Sequence, residues 1–251
     1  MTTLRNLLGL MVGLTAATTP GIGVAAEAVS FAARDRVQVF ADYYPAERDA
    51  APLILLFHQA GSNRGEYAAI APVLVKLGFA ALAVDQRSGG TAWGRANETV
   101  QHLGHSAGFA EALPDLEASL QWAKANGRGG KPIVWGSSYS AALVFLLAAK
   151  HPDDIAALLA FSPGEFVGAA GSVRRAASQL SLPIFVTSAK EAGEIAAAKA
   201  LIDAAPSTVK SQFVPRIGGV HGSSTLRADR NAKGAEENWD AVRAFLARVG
   251  T

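Results

Sequence analysis

The chain contains five short, continuous apolar runs. They lack the alternation of apolar and polar residues that a half-exposed strand shows. They span residues 53–57, 80–84, 133–135, 155–161 and 184–187. Runs of this kind are typical of strands buried on both faces. Segments with helical periodicity follow them, over residues 66–77, 109–125, 139–150, 194–204 and 236–249. Such alternation predicts an α/β domain in which helices cover both faces of a mostly parallel sheet.

Two further β-rich segments, residues 29–33 and 37–44, predict an antiparallel pair before the first buried run, and residues 212–214 predict a last strand. The sheet is therefore expected to have about eight strands in a single domain. Ligands bind such sheets outside the carboxyl ends of the strands. Residues 162–182 are too few for a large cap, so we expect little or no lid, an open cleft and a modest substrate.

The N-terminus predicts a signal peptide over residues 1–26, with the mature domain over 27–251. Arg5 precedes an apolar stretch at 7–17, and small residues at 24–26 come just before Glu27. The apolar stretch is shorter than the roughly 20 residues that a bilayer requires. We expect export to the periplasm or outside the cell with no stable membrane anchor, the alternative being an uncleaved anchor.

Composition narrows the possible chemistry. Half of the 251 residues are hydrophobic and 18% are charged, which excludes extensive disorder. The 23 basic and 21 acidic residues give a net charge of +2 with no basic stripe, so no nucleic-acid partner is expected. The chain has no cysteine, which excludes disulfides and a thiolate nucleophile. Serine, histidine and carboxylates remain as candidates for chemistry.

The segment 135–140 (WGSSYS) joins a predicted strand to a predicted helix. A serine on such a tight turn has its hydroxyl raised above the sheet, and the turn requires small residues two positions before and after it. Gly136 and Ser140 meet this requirement around Ser138. The alternative is that Ser138 only caps the helix, because serine is a preferred capping residue.

A serine hydroxyl needs a base and a third group that orients this base. His221 lies in a glycine-flanked loop (GGVHGS) between the last predicted strand and the last helix and is the leading candidate for the base. His151 precedes a proline and is a weaker candidate. His102 and His105 lack a nearby carboxylate ligand, so no metal site is expected.

These features together resemble the α/β-hydrolase superfamily, and within it the small esterases similar to dienelactone hydrolase. The resemblance rests on residues 55–67 (LLFHQAGSNRGEY), on the turn around Ser138 and on the pair His221–Gly222, and it extends over residues 29–249. The chain departs from the family pattern in Ser140, where glycine is usual, and in Gln59, which follows His58 in place of glycine. A serine also replaces the cysteine nucleophile of the dienelactone hydrolases.

The resemblance implies the remaining site residues. It favours Glu191, just after the strand at 184–187, as the acid that orients His221, with Glu194 and Glu165 as alternatives. The oxyanion-hole donors would be the amide of Tyr139 and that of Ala60, or of Gln59 in place of Ala60. His58 would support the loop that carries the second donor, and no cofactor is implied.

Two residues are candidates for substrate binding. Arg87 follows the strand at 80–84 and is placed to attract a substrate carboxylate, although pairing with Asp85 or a loop acid is an equal alternative. Trp93, in the next loop, is a candidate for one wall of the pocket.

The sequence therefore predicts a carboxylesterase-like serine hydrolase that acts on a small-molecule acyl substrate through an acyl-enzyme. A thioesterase, a peptidase or an acyltransferase with the same three residues is one alternative. A non-catalytic binding protein on the same scaffold is the other. The sequence gives no indication of oligomeric state.

Overall fold

The computed structural model describes residues 25–126 and 130–250. The predicted signal peptide lies outside these residues, apart from its last two positions. One sheet has its eight strands in the order β1-β2-β4-β3-β5-β6-β7-β8. The strands are β1 (Glu27–Ala32), β2 (Gln38–Tyr44), β3 (Leu53–Phe57), β4 (Ala80–Asp85), β5 (Ile133–Ser137), β6 (Ala157–Phe161), β7 (Ile184–Thr187) and β8 (Lys210–Phe213).

The sheet is antiparallel at one edge and parallel elsewhere. Strand β2 pairs antiparallel with both β1 and β4, and every later pairing is parallel. The helices are α1 (Ala71–Lys76), α2 (Glu98–Leu103), α3 (Leu113–Ala125), α4 (Tyr139–Lys150), α5 (Ser172–Ala177), α6 (Ala192–Ala204) and α7 (Ala235–Val249). The predicted fold, an α/β-hydrolase sheet with helices on both faces, is confirmed.

The core has two layers, one on each face of the sheet. In β3, Leu53, Leu55 and Phe57 pack on the layer under α3 to α6, whereas Ile54 and Leu56 pack on the layer under α1 and α7. All five are buried, which explains why this run shows no polar alternation. Among the described residues, no helix is both long and apolar enough to cross a membrane.

The structure corrects several predicted boundaries. The helix predicted over 66–77 is a 3₁₀ turn (Arg64–Tyr67) followed by α1, with Pro72 in the first turn of α1. Proline lacks the amide that a helix interior requires, so the helix begins there. The six-residue helices α2 and α5 were not predicted, because six residues carry too little periodicity to be distinguished from a loop. Among the described residues between β6 and β7, α5 is the only helix, so this connection contains no large cap.

The register of the central strands brings the functional loops together. Phe57 of β3 lies opposite Gly136 of β5, and Ser137 of β5 lies opposite Phe161 of β6. Thr187 of β7 lies beside Phe161 in turn. The loops that leave these four strands therefore start at one edge of the sheet.

Candidate active site

Ser138 stands on a strained turn between β5 and α4. Its backbone has φ 60° and ψ −120°, outside the regions that non-glycine residues favour. A Cβ at Gly136 would collide with the carbonyl oxygen of Ser140, so only glycine fits there. The side chain of Ser138 is 9% exposed, at the N-terminus of the 12-residue helix α4. This is the geometry that the sequence predicted for a raised serine hydroxyl.

Ser140, which stands where the family usually has glycine, ties the turn to two neighbouring strands. Its Oγ donates to the carbonyl oxygen of His58 at 2.6 Å and accepts from Nε2 of Gln86 at 2.7 Å. The residue is fully buried. Its hydroxyl therefore anchors the start of α4 to the loops after β3 and β4.

His221 lies between Ser138 and a carboxylate. Its Nε2 is 2.7 Å from Oγ of Ser138, and its Nδ1 is 2.8 Å from Oε1 of Glu194. The side chains of His221 and Glu194 are 43% and 28% exposed. The structure thus brings together a hydroxyl from the turn before α4, a carboxylate from the first turn of α6 and an imidazole from the loop that precedes α7.

The acid beside His221 is Glu194, so the preference for Glu191 was wrong. Helix α6 begins at Ala192, two residues earlier than predicted, with Glu191 as its exposed N-cap residue. Glu194 consequently lies in the first turn of α6. The other alternative, Glu165, accepts hydrogen bonds from the amides of Val173 and Arg174 at the start of α5. The carboxylate of Glu165 therefore caps the start of α5 and does not serve His221.

Ser162, which the sequence analysis missed, supports this acid. The hydroxyl of Ser162 donates to Glu194 and accepts from the amide of Gly222 at 2.9 Å. The amide of Ala189 donates to Oε2 of Glu194 at 3.1 Å. Burial raises the pKa of Glu194, but the hydrogen bonds from Ser162 and His221 outweigh it and leave the pKa below its usual value. The carboxylate form is thus favoured.

The sequence predicts oxyanion donors on Tyr139 and on Ala60 or Gln59. Tyr139 is the first residue of α4, so its amide has no acceptor within the helix. Ala60 is exposed and lines the cleft beside His221. The amide of Gln59 instead donates to Oε2 of Glu66 at 2.8 Å and is not available to a ligand. Of the two loop candidates for an oxyanion donor, the amide of Gln59 is therefore already bonded within the protein, and the role of Ala60 stays a prediction.

His58 supports the loop after β3. It is fully buried, and burial lowers its pKa, so it is neutral. Nε2 accepts from the amide of Gln86 at 3.1 Å, which leaves Nδ1 as the donor to the carbonyl oxygen of Gln59 at 2.8 Å. Both ring nitrogens therefore hold backbone groups.

Arg87 is not a free substrate ligand, which corrects that prediction. It is 6% exposed. Its Nη2 donates to Asp115 at 2.7 Å and to Asp35 at 3.0 Å. Asp35 lies in the turn between β1 and β2, so the alternative of pairing with a loop acid is confirmed, whereas Asp115 in α3 was not among the partners considered. The guanidinium is structural, because a buried cation must be paired.

A cleft of about 680 Å³ opens beside the three residues, and its lining includes His221, Trp93 and Arg230. Its size suits a small molecule. Trp93 lies at the predicted wall, with the guanidinium of Arg227 at 4.2 Å and that of Arg230 at 4.8 Å from its ring centroid. Arg230 was missed because nothing in its sequence context distinguishes it from other surface arginines.

Residues 25–126 and 130–250 contain no cluster of three or more histidine, cysteine or acidic side chains that could hold a metal ion.

Comparisons with known proteins agree with this architecture. The family model described as serine aminopeptidase, S33, matches residues 48–169. No curated protein matches the chain significantly. Among solved structures, an esterase from Pyrococcus furiosus aligns with a TM-score of 0.68 at 17% identity, covering 91% of this chain and 94% of that chain.

Two further structures show the same likeness. A cold-adapted esterase from an Arctic intertidal metagenomic library has a TM-score of 0.67 at 19% identity, covering 93% of this chain and 97% of its own. A dienelactone hydrolase from Anabaena variabilis has a TM-score of 0.67 at 15% identity, covering 90% and 98%. With the eight-stranded sheet, these matches show that the chain has the α/β-hydrolase fold.

Proposed function

We propose that the protein is a serine hydrolase that cleaves carboxylic esters through an acyl-enzyme intermediate. The observation that carries this proposal is the continuous chain of two short contacts, 2.7 Å from Ser138 to His221 and 2.8 Å from His221 to Glu194. Serine hydrolases use this arrangement to activate a hydroxyl that is otherwise a poor nucleophile.

The residues divide the reaction between them. Oγ of Ser138 attacks the ester carbonyl carbon while its proton passes to Nε2 of His221. The Nδ1–H group donates to Glu194, which holds the tautomer and stabilises the imidazolium that forms. His221 then gives the proton to the departing alcohol. A water molecule, deprotonated in turn by His221, releases the acid and restores Ser138.

The amides of Tyr139 and Ala60 supply the oxyanion hole in this proposal. Negative charge develops on the former carbonyl oxygen during attack, and backbone donors held in place beforehand stabilise it without reorganisation. The positive end of the α4 dipole adds to this effect at Tyr139. Loss of one such donor typically lowers turnover by about 100- to 1,000-fold.

The open cleft and the esterases among the structural neighbours favour an ester over the other acyl groups. Thioesters, peptides and acyl transfer use the same triad chemistry, and the matched family model carries the name of an aminopeptidase. Rates on p-nitrophenyl butyrate, a butyryl thioester and an alanine p-nitroanilide separate these substrates. A larger kcat/KM on the thioester or the anilide would contradict the proposal.

A fluorophosphonate probe tests the nucleophile. We expect the probe to label the wild-type protein and to spare Ser138→Ala, with ester hydrolysis reduced by at least about 10⁴-fold. Ser137→Ala should still be labelled, which controls for loss of a neighbouring hydroxyl. Equal labelling of Ser138→Ala and wild type would remove Ser138 from this role, and a protein with no labelling and no turnover would be a binding protein on this scaffold.

We also propose that residues 1–26 direct export and are removed. N-terminal sequencing of the protein from periplasmic and extracellular fractions should find a start near Glu27. An intact Met1 in the membrane fraction would support an anchor instead.

A further inference from the structure

Glu66 is a buried carboxyl group beneath the candidate active site, and no step above uses it. It lies in the 3₁₀ turn Arg64–Tyr67 and is fully buried. Its Oε2 accepts from the amide of Gln59 at 2.8 Å, and its Oε1 accepts from the hydroxyl of Ser137 at 2.7 Å. One carboxyl therefore joins the residue before Ala60 to the residue before Ser138.

The same cluster reaches the loop that carries His221. Oγ of Ser137 accepts from the amide of Ser223 at 2.8 Å. Gly222 packs so closely on Ser137 that a Cβ there would overlap Oγ of Ser137. The loops of the oxyanion donor, the nucleophile and the base thus meet at Ser137 and Glu66.

Burial raises the pKa of Glu66 to about 7, against the lowering effect of its hydrogen bonds from Gln59 and Ser137. An uncharged carboxyl is therefore substantially populated at neutral pH. Glutamine has nearly the same shape, and its Oε1 can accept from Gln59 while its Nε2 donates to Ser137.

We propose that Glu66 is a positioning residue for the reaction: by holding the amide of Gln59 away from the cleft and fixing Ser137, it sets the amide of Ala60 against Ser138 and His221. The inference rests on the proposed function and deepens it. Oxyanion donors stabilise the transition state only if their geometry is fixed before the reaction. A shift of the loop that supports the donor should therefore raise the free energy of the transition state and lower kcat. Glu66 itself touches neither substrate nor reacting atoms.

The test compares wild type, Glu66→Gln, Glu66→Ala and Ser137→Ala in p-nitrophenyl butyrate hydrolysis, with melting temperatures measured in parallel. We expect Glu66→Ala to lower kcat by about 100-fold, comparable to the loss of one oxyanion donor, with KM changed by less than about three-fold. Glu66→Gln should recover kcat to within about five-fold of wild type. Ser137→Ala should fall between them, because it removes one of the two contacts and leaves the Gln59 bond in place.

Asp115→Asn is the matched control, since Asp115 is also a fully buried carboxyl but is bonded to Arg87 away from the cleft. It should lower the melting temperature and leave kcat within about two-fold. A Glu66→Ala protein that melts early but keeps its full kcat would overturn the positioning role. So would a kcat loss in Asp115→Asn equal to that in Glu66→Ala, or a glutamine variant no better than alanine.

If Glu66→Ala does not fold, the comparison of wild type with Glu66→Gln and Ser137→Ala tests the proposal. An unchanged kcat in Ser137→Ala would then overturn the proposal. Fluorophosphonate labelling distinguishes a failure of the proposed function from a failure of the positioning role of Glu66. If wild-type Ser138 is not labelled, the proposed function fails and the positioning role fails with it. If Ser138 is labelled in all variants with the wild-type rate, only the positioning role is wrong.

Discussion

The two halves of the candidate site are built differently. Ser138 is 9% exposed on a turn fixed by buried residues, with Glu66 beneath it fully buried. The side chains of His221, in a loop at the cleft, and Glu194, in the first turn of α6, are 43% and 28% exposed. The buried half has its geometry set by packing, whereas the open half depends on a few hydrogen bonds. Substitutions should therefore act on stability and geometry in the first half, and on charge and orientation in the second.

The largest effect on kcat should come from a substitution of Glu194, the carboxylate of the open half. Glu194→Gln should lower kcat by about 10⁴-fold, because the amide cannot stabilise the imidazolium and favours the wrong tautomer of His221. Steady-state kinetics on p-nitrophenyl butyrate measure this effect. Glu191→Gln, three residues away and exposed, is the matched control and should stay within about two-fold. The reverse result would restore Glu191 as the acid.

In the buried half, Glu66 should make the free energy of unfolding depend on pH. The pKa of Glu66 is about 7 in the folded protein, above its ordinary value of 4.5. A raised folded pKa means that stability is fully present below the unfolded pKa and is lost as pH rises towards the folded pKa. Between about pH 4.5 and 7 the wild type should lose about 3 kcal/mol of unfolding free energy relative to Glu66→Gln, with no further relative loss above pH 7.

Urea unfolding of both proteins at a series of pH values measures this difference, and effects of other titrating groups cancel between them. A difference that does not change with pH would mean that Glu66 titrates at its ordinary value in the fold.

Ser162 sharpens the comparison, because it supports the open half through a buried hydroxyl. Ser162→Ala removes one hydrogen bond to Glu194 and the acceptor of the Gly222 amide, so kcat should fall by about ten-fold. The pKa of Glu194 should also rise, because the hydrogen bond from Ser162 lowers it, and NMR titration of the carboxyl measures this shift. Ser178→Ala, an exposed serine that donates only to the carbonyl of Arg175, should change neither quantity.

The smallest effect should appear at the cleft wall. Arg227 pairs with Asp229 at 2.9 Å, whereas no ion pair among the described residues includes Arg230. Arg230→Gln should raise KM for a p-nitrophenyl ester bearing a terminal carboxylate by about three-fold at low salt, and leave KM for p-nitrophenyl butyrate unchanged. Lys76→Gln, a cation on α1 away from the cleft, is the control. Equal KM changes for both esters would show that Arg230 contributes packing and no charge selectivity.

Local patterns predicted much of the site. The buried run at 53–57 was identified with its bounds intact, because both of its faces lie in the core. Ser138 was identified from the small residues around it, which the turn requires for steric reasons. His221 followed from its glycine-flanked position after the last strand. Each of these signals acts within a few residues of the chain.

The errors arose where contacts join distant segments. A helix start misplaced by two residues was enough to favour Glu191 over Glu194. The position of Arg87 after β4 favours a role in substrate binding, but its guanidinium is bonded to Asp35 and Asp115. Ser162 and Glu66 carry no motif, because their importance lies entirely in what they touch.

The sequence by itself determined the order of buried strands and helices, and with it the α/β architecture and the positions of the candidate nucleophile and the candidate base. Hydrophobic periodicity and steric limits on a tight turn are local, so they can be read along the chain. Only the tertiary structure decided which carboxylate meets His221, which amide remains free for an oxyanion and which arginine faces the cleft. Hydrogen bonds and ion pairs depend on distances of a few ångströms between loops, and those distances exist only after the sheet has aligned its strand ends.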